Sequence, residues 1–114
     1  MHEMSLVEGM VDLIEDAATR QGFSRVRTVW VEIGRLSSVE PDALRFAFDV
    51  VTRGTRAEGA TLSVIDLPGT AWCLQCEASV DIPALYEACP RCGGYQLHVT
   101  GGTEMRVKEL EVDD

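Results

Sequence analysis

Cys73-Leu74-Gln75-Cys76 and Cys89-Pro90-Arg91-Cys92-Gly93 decide how this chain folds. They hold all four of its cysteines, as two C-x-x-C pairs with twelve residues between them. Each pair can form a tight knuckle that turns two sulfurs toward one point. Two knuckles then give four thiolates around one tetrahedral zinc ion. The intervening stretch is shorter than the usual spacing of about fifteen to twenty residues, yet two short strands fit within it. Gly93 and Gly94 are expected to supply positive φ where the second knuckle turns back, and Pro90 stiffens it. Residues 71–98 hold few long apolar stretches, so this small ribbon needs the metal to fold. Four thiolates leave no open coordination position, which makes the ion structural. The competing reading is two disulfides. No signal peptide precedes the cysteines, and C-x-x-C pairs without one read as reduced, metal-bound and cytoplasmic.

Working outward, residues 4–21 read as a helix that could begin as early as Glu3. Leu6, Met10, Leu13 and Ala17 form one stripe, with Val7, Val11, Ile14 and Ala18 beside it. Ser5 to Glu8 fits a capping box, and Gly22 is a natural stop. Residues 26–33 alternate as a strand, with Val29, Val31 and Ile33 on one face. Pro41 suits the first turn of a second helix, with Glu40 at its cap and Leu44, Ala47, Phe48 and Val51 inward. Gly54 is expected to end it. Residues 61–67 give a second strand, and a strand-helix-strand run of this length implies a parallel pair. After Gly101-Gly102 a last strand returns to the first sheet. Its apolar parity switches between Val107 and Leu110, which predicts a bulge near Lys108 or pairing that ends there. The expected fold is therefore α/β: two helices on a small three-stranded mixed sheet with an inserted four-cysteine zinc ribbon. Residues 1–69 and 101–114 make one discontinuous domain and 70–100 the ribbon.

At 114 residues the chain has the length of one domain, or of one domain with a small appendage. No apolar run is long enough to span a membrane. The formal charge is −9, and four thiolates with one divalent ion would make the holo protein still more acidic. Such a surface repels phosphate backbones, so the nucleic-acid role common among zinc ribbons is disfavoured.

The chain opens with Met1-His2-Glu3. A free amine, backbone amides and an imidazole lie within two residues. Deprotonated amides are strong in-plane donors, and nitrogen-rich square-planar geometry is what Ni(II) and Cu(II) prefer. An N-terminal histidine is more often only a solvated side chain, and the tripeptide alone does not decide between the two.

Taken together, Met1-His2-Glu3, Ser5, Gly34, the four cysteines and Gly102-Thr103-Glu104-Met105-Arg106-Val107 resemble the HypA family of hydrogenase-maturation nickel metallochaperones. The resemblance runs the full length and keeps the order of motifs. It implies a protein that delivers an ion and is not an enzyme. Transported Ni(II) would be held by His2 with the backbone of Met1 and Glu3, and the Glu3 side chain would orient the site. Structural Zn(II) would be held by Cys73, Cys76, Cys89 and Cys92. Partners would be a HypB-type GTPase and the large-subunit precursor of a [NiFe] hydrogenase. Glu40 stands where some relatives place a carboxylate beside nickel. His98, the only other histidine, is a weaker candidate for the nickel shell. Hinges at Pro68-Gly69 and Gly101-Gly102 would allow a swapped homodimer. The rival reading is a zinc-ribbon adaptor that binds protein or nucleic acid without nickel. Trp72 and Tyr95 are expected to pack around the sulfurs. Trp30 lies opposite the apolar parity of its strand, either covered or left as a contact patch.

Overall fold

The computed structural model describes residues 2–114. Two helices and six strands follow in the order α1 (His2–Gln21), β1 (Arg25–Gly34), α2 (Pro41–Val51), β2 (Thr61–Leu67), β3 (Thr70–Cys73), β4 (Ala78–Asp81), β5 (Leu97–Gly101) and β6 (Met105–Asp113). They form two three-stranded sheets, ordered β2-β1-β6 and β4-β3-β5. The helices, the first sheet and the cysteine-bearing ribbon are those expected from the sequence. The Arg35 N–H donates to the Leu67 carbonyl at 2.9 Å. The strands β1 and β2 therefore finish at the same end, as a parallel pair does.

The chain divides into two compact units, residues 1–31, 39–64 and 107–114 in one and 32–38 with 65–106 in the other. In the first, α1 packs on α2. Burial on α1 follows Val7, Met10, Val11, Ile14, Ala17 and Ala18. That arc is shifted from the expected stripe, and Leu13 is left 51% exposed. The helix also starts at His2, so Ser5 lies inside it and the capping box is not the start. On α2 the Glu40 carboxylate caps the helix, accepting from the N–H groups of Asp42 and Ala43 at 2.7 and 3.1 Å, and Pro41 fills the first turn. Leu44, Ala47 and Phe48 are buried. The helix ends earlier than Gly54. Thr52 takes the C-cap position, and both its N–H and its hydroxyl donate to the Phe48 carbonyl. This double use of one carbonyl closes the last turn without a glycine.

In the second unit the ribbon core is Leu36, Ala71, Cys73, Val80, Ile82 and Cys89, with Cys76 and Leu97 packed against it. β3 pairs antiparallel with both neighbours, Trp72 facing Ser79 on β4 and His98 on β5. Gly34 must be glycine for space. A Cβ there would lie 2.1 Å from the Gly102 carbonyl oxygen, and the Leu36 N–H donates to that same oxygen at 2.7 Å. Backbone thus lies directly on backbone.

Phe48 is 1% exposed and Phe46 is 70% exposed, two residues apart on α2. Phe48→Ala should lower the unfolding free energy by ~3–5 kcal/mol, whereas Phe46→Ala should stay within ~0.5 kcal/mol of the parent. Urea titration followed by circular dichroism separates them. Equal losses would show that the α2 core face is misassigned.

Candidate metal centre

The two cysteine knuckles are built alike. In the first, the Glu77 N–H donates to the Cys73 carbonyl at 2.8 Å, and the Cys76 N–H points at the Cys73 sulfur at 3.4 Å. In the second, the Gly93 N–H donates to the Cys89 carbonyl at 2.8 Å, and the Arg91 N–H points at the Cys89 sulfur at 3.4 Å. The residue four after the leading cysteine turns left-handed in both, with φ of +52° at Glu77 and +77° at Gly93. Glycine takes this without strain. Glutamate there costs roughly 1–2 kcal/mol. Gly94 does not share the positive φ expected of it. A Cβ on it would meet the end of the Gln75 side chain, which would have to swing aside.

The four sulfurs lie within 4.8 Å of one another. Cys73 and Cys92 sulfurs are 3.7 Å apart, and those of Cys76 and Cys89 are 3.9 Å apart. A tetrahedral ion with sulfur bonds of about 2.3 Å needs edges of about 3.8 Å. The donor set, its spacing and its count therefore fit zinc, and among the described residues no further His, Cys, Asp or Glu joins the cluster. The thiols also perturb one another. Partial burial, then hydrogen bonding to the other three sulfurs, pushes Cys76 up to about 12. The Cys92 backbone N–H, set against desolvation, and the Arg91 N–H pull Cys89 down to about 7. Burial and local hydrogen bonds thus push two members of one set in opposite directions.

Sequence reasoning missed Gln75. Its carboxamide oxygen accepts from the Cys92 thiol at 3.4 Å, and its NH₂ could serve a thiolate after rotation. A polar residue between two cysteines carried no signal for this. Trp72 and Tyr95 are corrections. They are 40% and 72% exposed and do not jacket the sulfurs. Leu36, Ala71, Val80 and Ile82 do. Trp30 is half-buried.

The N-terminal candidates lie in the first unit. The expected role of Met1 falls outside the described residues. His2 is exposed and is the first residue of α1. The Glu3 carboxylate accepts the Glu40 N–H at 3.4 Å. Hydrogen bonds from its own N–H and from that of Glu40 hold the Glu3 carboxyl below its ordinary value of 4.5. This tie is therefore present above that pH and lost as acid protonates the group. The structure brings Glu3 and Glu40 together. His98 lies on β5 in the second unit.

Comparison with known proteins identifies the surroundings of these motifs. A family model described as hydrogenase/urease nickel incorporation, metallochaperone, HypA matches residues 1–112. A hydrogenase maturation factor HypA of Albidiferax ferrireducens is 61% identical over 113 residues, 99% of this chain and 100% of the relative. That of Azotobacter vinelandii is 58% identical over the same span. The solution structure of the nickel metallochaperone HypA from Helicobacter pylori superposes with a TM-score of 0.69 at 28% identity, covering 99% of this chain and 98% of its own.

Protein purified under reducing conditions should carry one zinc per chain by elemental analysis. Cys73→Ala or Cys92→Ala should lose it and unfold the ribbon, since binding and folding are one event there. Glu77→Gly should slow zinc loss to a chelator by removing the left-handed strain. Protein free of zinc, with its ribbon still folded, would overturn the assignment.

Proposed function

The chain belongs to the HypA family of nickel-incorporation metallochaperones for hydrogenase maturation, and from that premise we propose that its own N-terminus carries the nickel it handles. Nickel is cargo here. His2 supplies the imidazole, and the backbone of Met1 and Glu3 supplies nitrogen. One observation supports this reading above the rest: α1 begins at His2. The first four N–H groups of a helix have no acceptor within it. The amides of His2 and Glu3 are therefore free of helical duty; that of His2 can lose its proton to a metal without breaking the helix, and that of Glu3 gives up only the hydrogen bond to its own carboxylate. Glu3 keeps its side chain turned to the Glu40 N–H, so it orients the segment while its amide binds. The Glu40 carboxylate is occupied as the α2 cap.

On this reading Cys73, Cys76, Cys89 and Cys92 hold structural zinc. Residues 1–69 and 101–114 act as the nickel domain and 70–100 as the ribbon. The protein catalyses no reaction. It works in the cytoplasm, passing its ion toward the large-subunit precursor of a [NiFe] hydrogenase together with a HypB-type GTPase.

His2→Ala should weaken nickel binding at least ~10-fold, or ~1.4 kcal/mol, in isothermal titration of the untagged protein, and should leave zinc in place. One extra residue before Met1 should weaken it as well, because the amine moves away. As pH falls and the imidazole takes up a proton, nickel should leave before zinc. A His2→Ala protein that binds nickel as tightly as the parent would sink the N-terminal site.

A further inference from the structure

Six of the large apolar side chains that remain exposed lie on residues 72–99: Trp72, Leu74, Leu85, Tyr86, Tyr95 and Val99. Four of these converge. Leu85, Tyr86, Tyr95 and Val99, with Leu97 and Glu87, line a cavity of about 250 Å³ in the second unit. The metal centre does not use it. Tyr86 adds a separate observation. It holds φ at +68° and is 93% exposed. A bulky residue in the left-handed region is an outlier that its surroundings must sustain, and here the side chain it presents to solvent gains no packing in return.

Two features select the occupant. β5 is the last strand of its sheet, and among the described residues no strand pairs with its outer side. Its main-chain groups there are open to pairing with another extended backbone, and Leu97 and Val99 on β5 also line the cavity. A helix has no free main-chain groups along its length to pair with that edge. Charge decides the rest. The one charged lining residue is Glu87, and the chain carries −9. A second copy would bring one acidic chain against another, which costs affinity and slows encounter. A basic segment meets neither penalty.

We propose that the β5 edge and the Tyr86–Tyr95 groove bind an extended segment of a partner protein, which adds as a strand, seats one apolar side chain in the cavity and sets a Lys or Arg against Glu87. Strand addition gives affinity through the main chain and specificity through alternate side-chain pockets. The site stands on the ribbon alone and does not depend on the nickel reading.

The test uses the full-length, zinc-loaded protein and an immobilised array of heptapeptides. Their alternate positions are varied over apolar, basic and acidic residues. Selected peptides should combine an apolar residue with a nearby Lys or Arg, and a proline at the pairing positions should abolish capture. In amide spectra the best soluble peptide should shift Leu97–Gly101, Tyr86 and Tyr95. Tyr95→Ser with Val99→Thr should weaken it at least ~10-fold at unchanged zinc content. Glu87→Lys should turn the preference from basic to acidic peptides. Absence of any sequence preference, shifts confined to other residues, insensitivity to these substitutions, or dimerisation through β5 in sedimentation would each overturn the proposal.

Discussion

Four thiolates cannot share a few cubic ångströms without a cation between them, and the second unit depends on that constraint. Its apolar core is small, and two of its buried members, Cys73 and Cys89, are themselves cysteines. The thiols are perturbed in opposite directions: hydrogen bonds from the backbone N–H groups of Cys92 and Arg91 pull Cys89 down to about 7, and burial with hydrogen bonding to its neighbours pushes Cys76 up to about 12. A divalent ion reverses this by making all four sulfurs acceptable as anions at once. The ribbon strands, the loop between them and the groove beside β5 are then held by a bond set that hydrophobic burial at this size does not supply.

How far the sequence could be read depended on how local the deciding physics was. The knuckles were legible because C-x-x-C spacing fixes sulfur positions within a few residues. The α2 start was legible because Glu40 and Pro41 act on the adjacent backbone. The α1 start was not. Ser5 and Glu8 make a reasonable cap, yet the helix continues back to His2. Stripes were read to within one helical face. Leu13 shows the limit, since periodicity gives an arc and only packing against α2 chooses its centre.

Aromatic placement failed for a different reason. Trp72 and Tyr95 flank the cysteines in sequence, and proximity in sequence suggested a jacket around the metal. In β3 alternate residues face opposite ways. Ala71 and Cys73 take the inner face, so Trp72 is sent outward by its parity alone. Gly94 was a similar case. It lies against the Gln75 side chain across the knuckle, a contact no local pattern reveals. The roles of His2 and Glu3 were suggested by the tripeptide and by family resemblance, and composition alone would have left them as solvated side chains.

That α1 opens at His2 has one more consequence. The helix macrodipole puts about half a positive charge at that end, and a cation there is opposed by ~0.3–1 kcal/mol. A permanent cofactor would be badly sited. At the N-terminal site proposed above, a courier would be served by it, because cargo held against a standing field would have a shorter residence time and be surrendered to any recipient that lacks the penalty. The Glu3 carboxylate in the first turn offsets part of that field, so on the proposed reading its charge would set how readily the ion departs.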